Sequence, residues 1–228
     1  MKEYVNYHCH SDKSNFAITD SPVRPIDYIN RIKELGHKSY VSTEHGLSYG
    51  WVEKYLLCEK HNIKFVYGVE GYIEYYNKTY HIMFVAKSFD GMKSINRALN
   101  DAVKNNYKNN RPKLTIDMIK EHIIANEVIC TTACVFGILK DETLFLFKEL
   151  YNIFKDNFYL EVLAHNTPMQ IEFNKKAKEL SKQYDIKLIG ATDSHAIYPE
   201  QEIERDDLIL AKRGNIYDDG DETGWYDK

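Results

Sequence analysis

Paired thiols are the first thing this sequence does without. Its four cysteines, Cys9, Cys58, Cys130 and Cys134, show no C-x-x-C and no framework spacing. That excludes a disulfide scaffold and makes a reducing cytoplasm the expected compartment. No apolar run approaches the ~20 residues that a membrane-spanning helix needs. A charged start leads straight into a strand pattern, without the apolar core of a signal peptide. A basic excess is missing as well: 30 Lys and Arg against 34 Asp and Glu leave a net charge of −4, with a pI near 6.1. A groove-wrapping DNA binder is therefore excluded. An enzyme acting on nucleic acid is not, because divalent cations in a pocket bring their own positive charge. Alanine is sparse, and no internal repeat or linker composition divides the chain.

What the chain does have is a hydrophobic share of 43%, with 18 Tyr and 10 Phe, over 228 residues. This suits one domain, expected over residues 1–213, followed by a polar tail over 214–228. Strand patterns alternate with helical ones. Strands are predicted over residues 4–8, 38–43, 63–70, 128–132, 158–163 and 187–191, with a hairpin joining 72–76 to 80–86 through Asn77-Lys78. Helices are predicted over 25–35, 51–61, 92–103, 115–122, 142–154, 168–184 and 199–210. Residues 105–113 read as a polar, basic loop. The alternation predicts an α/β fold with parallel strands and right-handed crossovers. Functional groups in such folds gather beyond the C-terminal ends of the strands.

Metal-ligating side chains recur at these strand ends. His8 and His10 form an H-x-H. On a strand, alternate side chains share a face, so both imidazoles reach one ion while Cys9 turns the other way. His45 follows the second strand in Thr43-Glu44-His45-Gly46, where Gly46 allows a sharp turn and Glu44 either orients His45 or faces solvent. Glu70, between Gly68-Val69 and Gly71, ends the third strand and can bridge two ions; an exposed hairpin acid is the rival reading. Cys134 follows the strand that ends at residue 132 and can coordinate as a thiolate, whereas Cys130 lies inside that strand as packing. Asp193 and His195 follow the last strand. Residues so scattered converge only if the strands end on a common rim. That points to a barrel-like fold with a polynuclear metal centre at its mouth.

Spacing alone selects neither Asp20, as readily a turn former, nor His81, which beside Ile82-Met83-Phe84-Val85 has the look of a core histidine. His165 follows a strand and suits a supporting or proton-donating role. Arg111 and Lys113 flank Pro112 and suit a phosphate contact, although a solvated basic loop is the commoner reading. Ser194 is disfavoured as a nucleophile because no G-x-S-x-G elbow is present. His37, His61 and His122 lie on or near helices, where surface histidines are found.

Seven segments, in order over roughly residues 4–211, resemble the PHP (polymerase and histidinol phosphatase) superfamily, and above all the PHP domain of bacterial DNA polymerase III alpha subunits. They are Tyr7-His8-Cys9-His10-Ser11-Asp12, Ser42-Thr43-Glu44-His45-Gly46, Gly68-Val69-Glu70-Gly71-Tyr72, His81-Ile82-Met83-Phe84-Val85-Ala86-Lys87, Thr131-Thr132-Ala133-Cys134, Phe158-Tyr159-Leu160-Glu161 and Ala191-Thr192-Asp193-Ser194-His195. The resemblance implies a distorted (β/α)7 barrel of the PHP type with a trinuclear site. Its nine ligand positions carry over to His8, His10, Asp20, His45, Glu70, His81, Cys134, Asp193 and His195. Asp20 lies in Ile18-Thr19-Asp20-Ser21, after a loop longer than the family's. Glu44 stands where an aspartate is more frequent, and Cys134 where phosphatase-like relatives carry a histidine.

With all nine positions retained, the resemblance implies an active metal-dependent phosphodiesterase, a 3′→5′ exonuclease on DNA, using two to three divalent ions (Zn, Mn or Fe). The rivals are a phosphomonoesterase on a small phosphate or nucleotide, and a non-catalytic, metal-stabilised docking module of a replicative polymerase. Expected partners are a DNA 3′ end or a nucleotide and a DNA polymerase, with no membrane. The expected setting is a bacterial cytoplasm, for a stand-alone protein of a phage or plasmid or for a domain excised from a polymerase.

Overall fold

The computed structural model describes residues 4–213, so the polar tail expected over 214–228 lies outside the described residues. The elements follow in order: α1 (Pro25–Glu34), β1 (Ser39–Ser42), α2 (Trp51–Lys60), β2 (Lys64–Tyr75), β3 (Lys78–Ala86), α3 (Phe89–Asn105), β4 (Tyr107–Lys108), β5 (Arg111–Pro112), α4 (Ile116–His122), β6 (Val128–Thr131), α5 (Leu144–Phe154), β7 (Phe158–Leu163), α6 (Pro168–Tyr184), β8 (Leu188–Ala191) and α7 (Gln201–Arg213). Local chemistry sets several boundaries. Pro25 opens α1, and Asp27 folds back onto the Arg24 amide and guanidinium. The Ser88, Thr115 and Thr167 side chains accept the first free amides of α3, α4 and α6. Among the described residues, no helix is long and apolar enough to cross a membrane.

One curled six-stranded sheet carries the fold, in the order β1-β2-β3-β6-β7-β8. Every pairing is parallel except those of β3, which runs against both neighbours. The expected seventh strand, residues 4–8, is not a strand. This segment instead spans the gap between β8 and β1. On one side the His10 amide donates to the Ser194 carbonyl (2.9 Å) and the Ser194 amide to that of His8 (3.2 Å). On the other side a side chain replaces the backbone ladder: the Cys9 amide donates to the Thr43 hydroxyl (3.0 Å), and the Cys9 thiol to the Val41 carbonyl (3.2 Å). The ring of staves is closed, but no regular strand pairing survives at the closure.

Three further expectations need correction. Glu70 does not end β2. That strand runs on to Tyr75, because residues 64–67 pair with β1 and residues 68–75 pair with β3. Residues 105–113 are not a plain loop, since Asn109 and Asn110 both take positive φ (53° and 58°) and turn β4 back onto β5. Asparagine tolerates this conformation better than other side chains, and a two-residue hairpin turn requires it. The β2–β3 hairpin turns at Tyr76-Asn77, one residue before the predicted Asn77-Lys78.

Period-two alternation divides the sheet into two faces. Val69, Ile73, Ile82, Phe84, Cys130, Phe158 and Leu160 are fully or almost fully buried in the layer that also holds Ile95, Phe147 and Leu150 of the helices. Alternate residues point inward, where Tyr7, Val41, Met83, Val85, Cys134, Leu163 and Ala191 form a smaller apolar floor. In the cross-strand register Glu70 lies opposite Met83, and Tyr72 opposite His81. Glu70 and His81 thereby share the inner face with Met83, above that floor.

Candidate metal centre

All nine residues of the expected set gather at this inner rim, and Glu70 is their hub. Its Oε1 lies 3.5 Å from His8 Nε2, 2.8 Å from His81 Nδ1 and 3.7 Å from the Cys134 sulfur. Its Oε2 lies 2.7 Å from His45 Nδ1 and 3.6 Å from His10 Nε2. Asp193 Oδ1 approaches His8 Nε2 at 3.1 Å and His10 Nε2 at 3.3 Å. Asp20 Oδ2 lies 3.2 Å from Nε2 of both His45 and His195. The His10 ring stacks against those of His45 (3.9 Å) and His195 (4.5 Å), which are themselves 5.7 Å apart. Three triads each bring their ligand atoms within 4.8 Å of one another: His10, His45 and His195; His8, His10 and Asp193; Glu70, His81 and Cys134. A fourth group, Asp101, Glu121 and His122, sits on α3 and α4, where His122 Nε2 and Asp101 Oδ2 are hydrogen-bonded at 2.8 Å between half-buried side chains.

The reversal of β3 explains how His81 enters. Because this strand runs backwards, its early residues lie where the parallel strands deliver their late ones. Asp20 enters through its loop: Asn15 Oδ1 accepts the amides of Asp20 and Ser21, and Arg205 donates to the Asp20 carbonyl at 2.8 Å. Ala133 (φ 55°) and Asp193 (φ 48°) hold the left-handed backbone at the two sharp turns that present Cys134 and Asp193. Neither is glycine, and strain of this kind concentrates at functional sites.

The inward atoms are donors and acceptors left over. His8 Nε2, His10 Nε2, His45 Nδ1, Glu70 Oε2, Asp20 Oδ1 and Asp193 Oδ1 are buried and make no hydrogen bond, although several lie close together. Buried polar atoms are nearly always satisfied, so the five of these that lie within 3.6 Å of a neighbour in the set fit a site that cations complete. The outward sides are tied down. His8 Nδ1 bonds Glu161 Oε1 at 2.6 Å, and Glu161 takes bonds from the Tyr7 hydroxyl (2.6 Å) and the Thr131 hydroxyl (2.9 Å). Sequence reasoning gave Glu161 no role. The available signal was a carboxylate two residues before the inward Leu163 on a buried strand.

Charge in the cluster is correlated. Burial works against ionised His8, but Asp193 and Glu161 hold its pKa well above the usual value. Burial likewise opposes ionised His45, yet Asp20 and Glu70 raise it to about 10. Burial, with His45 and His195 beside it, takes His10 down to about 4. Burial penalises the carboxylates too, but the imidazoles hold Asp20, Glu70 and Asp193 well below the ordinary range. Burial, with Asp193 and Glu70 nearby, pushes the Cys134 thiol well up.

The remaining candidates surround this cluster. The Arg111 guanidinium lies 5.0 Å over the ring of Tyr72, which packs against His81 and His45. Lys113 is buried, its amide tied to the Asn106 carbonyl, and its charge bears on Glu74. His165 Nε2 meets the Thr192 carbonyl at 3.0 Å, next to Asp193, and lines a shallow cavity of about 310 Å³ with Asn174, Lys175 and Lys178. Glu44, considered as a partner for His45, instead faces Ser11, Ser14 and Lys54.

A family model described as the PHP domain matches residues 6–165. The DNA polymerase III alpha subunit of Aquifex aeolicus is 26% identical over 224 residues, which cover 87% of this chain and 19% of that protein. The same subunit of Borreliella burgdorferi is 24% identical over 234 residues, or 92% of this chain and 20% of that one. The chain thus spans about a fifth of the length of the curated relatives it matches. Among solved structures, a candidate metal-dependent phosphoesterase from Bifidobacterium adolescentis superposes with a TM-score of 0.55 at 13% identity, over 95% of this chain and 98% of that one. A likeness at that identity speaks for the fold.

Proposed function

This chain belongs to the PHP domain family, and from that premise we propose that it is a metal-dependent phosphoesterase whose reaction is 3′→5′ removal of nucleotides from a DNA end. The observation that carries the reading is the set of five buried atoms, His8 Nε2, His10 Nε2, His45 Nδ1, Glu70 Oε2 and Asp193 Oδ1, that crowd together at the centre with no hydrogen bond to complete them. His8, His10, Asp20, His45, Glu70, His81, Cys134, Asp193 and His195 would hold two to three divalent ions. Imidazole, carboxylate and thiolate together suit Zn, Mn or Fe better than Mg. Bound there, the ions would make water nucleophilic near neutral pH and offset the charge on the phosphate.

The chain's own residues orient and shield. Glu70, with an oxygen on each side, spans the space between triads. Glu161 keeps the outer nitrogen of His8 occupied, so that Nε2 faces inward. Arg111, fixed over Tyr72 at the edge of the cluster, is proposed to take a phosphate oxygen, with Lys113 behind it. His165, beside Thr192, is proposed to return a proton to the departing sugar oxygen. The setting is proposed to be a bacterial cytoplasm, with a DNA polymerase as partner, in keeping with the polymerase relatives.

The deciding experiment presents the metal-reconstituted protein with a labelled single-stranded oligonucleotide and with a phenyl phosphate. Stepwise shortening from the 3′ end, abolished by chelator, is the expected result. Cleavage of the monoester alone would move the reading to a phosphomonoesterase. Cleavage of neither, with a melting temperature that falls on chelation, would leave a metal-stabilised docking module.

Metal binding should also release protons. In the metal-free protein at neutral pH, His8 and His45 are held charged and Cys134 is held as a thiol, whereas His10 is already neutral. Ligation requires the first three to lose protons, one from each of the three triads. Affinity should therefore rise with pH from neutrality up to about 10, where His45 loses its proton unaided. Calorimetry in buffers of different ionisation enthalpy measures the protons directly. A pH-independent affinity with no proton release would remove these three residues from the ligand set.

A further inference from the structure

We propose that Ser14, Glu44 and Lys54 form a buried relay that fixes the proton of His10 on Nδ1 and so leaves Nε2 bare toward the centre. The tautomer follows from counting hydrogens, and its use in metal binding rests on the function proposed above.

Lys54, Glu44 and Ser14 are completely buried, although two of them are charged residue types. The Lys54 ammonium donates to the Ser42 hydroxyl (2.8 Å) and to Glu44 Oε1, and it lies 5.8 Å over the ring of Tyr40. Glu44 receives more donors. The Ser11 hydroxyl reaches Oε1 at 2.7 Å, the Ser11 amide reaches Oε2 at 3.0 Å, and the Ser14 hydroxyl bonds Oε2. With donors on both oxygens, the carboxylate has no place for a proton of its own and acts only as an acceptor.

Ser14 Oγ has three polar neighbours: Glu44 Oε2, the His45 backbone amide at 3.1 Å, and His10 Nδ1 at 3.1 Å. A hydroxyl has one hydrogen and two lone pairs. Its hydrogen must go to Glu44, which cannot donate. One lone pair takes the His45 N–H, which can only donate. The other therefore faces His10 Nδ1 as an acceptor, and that nitrogen must carry the hydrogen. His10 Nε2 is then the bare nitrogen. It is the atom that lies 3.3 Å from Asp193 Oδ1 and makes no hydrogen bond. Without the relay, nothing on the Nδ1 side would stop the ring from protonating Nε2 and donating to Asp193.

His8 and His10 are thus keyed by different devices. His8 is held by a carboxylate directly, and His10 by a hydroxyl whose direction a remote ion pair sets. Outer partners of this kind typically tune metal affinity by about 10–100-fold.

The test uses the metal-free full chain with ¹⁵N-labelled histidine. Nitrogen–proton correlation spectra distinguish the two ring nitrogens, and His10 is assigned by its loss in His10→Asn. In the parent, His10 should show a protonated Nδ1 and a bare Nε2. In Ser14→Ala its proton should move to Nε2, while the His8 pattern, set by Glu161, stays unchanged and certifies an intact site. Cobalt titration should then show affinity in Ser14→Ala reduced by about 10–100-fold. An Nε2-protonated His10 in the parent overturns the relay, as does an unchanged tautomer in a folded Ser14→Ala. Because the spectra need no metal, failure of the metal reading would appear separately, as a parent with the stated tautomer that takes up no cobalt.

Discussion

Glu70→Gln is expected to lower turnover on a labelled oligonucleotide by about 10³-fold, the scale seen when one preorganised charged contact to the reacting centre is lost. The change keeps the shape of the side chain and removes its charge. Five of the eight other candidate ligands lie within 3.7 Å of that carboxylate, so no other single substitution touches so much of the centre. Elemental analysis should show metal content falling with activity. Glu74→Gln is the control. It lies four residues further along the same strand, and its carboxylate pairs with Lys108 on the hairpin. Such a surface pair contributes about 0–1 kcal/mol, and the control should keep parental activity and metal content. A Glu70→Gln protein with more than a tenth of parental turnover would remove Glu70 from the proposed ligand set.

The second large effect is on the scaffold. A Cβ added to Gly137 would lie 1.8 Å from the Thr132 carbonyl oxygen and 2.8 Å from that of Cys134. Both obstacles are backbone, so no rotamer relieves them. The turn containing Gly137 is pinned at two points, by the Gly137 amide on the Cys134 carbonyl (2.7 Å) and by the His81 amide on the Phe136 carbonyl (3.0 Å). Gly137→Ala must therefore displace Cys134 and the strand that carries His81 together. Overpacking of this kind costs about 2–3 kcal/mol, and in a chain of this size that lowers the melting temperature by roughly 4–12 °C. The cobalt–thiolate absorption should weaken with it. Gly190→Ala, where an added Cβ meets nothing within 4 Å, should melt near the parental temperature. Equal melting of the two variants would mean that the turn after β6 is not the constraint described.

How much of this was readable in advance depends on which rule each residue obeys. His8, His10, His45, Cys134, Asp193 and His195 follow parallel strands or the closing segment, and the strand-end rule finds them. Glu70 was placed by that rule on a wrong premise and His81 was not placed by it at all, both for one shared reason. The β2–β3 hairpin continues across the rim, so Glu70 sits in mid-strand and His81 near a strand's start. Period two would have placed them on the inner face, but only once the reversed pairing was known. Asp20 is delivered by the hydrogen bonds of Asn15 to a loop, which spacing does not reveal. Glu44 was visible as a charged neighbour of His45, yet its partner Lys54 was not. A lysine in a helix is by default solvated, and only the tertiary position of α2 carries it beneath the sheet. The strand expected at 4–8 failed because a threonine hydroxyl took over the bonds of a backbone ladder.

That last substitution has a consequence for how the molecule is made. The closing segment seats against Ser194, more than 180 positions further along the chain. At about 5–20 residues per second on the ribosome, roughly 10–40 s pass between the emergence of His10 and that of the loop it docks on. Over that interval the segment can seat on Val41 and Thr43, but its other side, which Ser194 will meet, stays an open edge. Unpaired edges recruit neighbouring strands. The slowest and most vulnerable moment of biogenesis should therefore be this final closure, the same event that first brings the two halves of the site together.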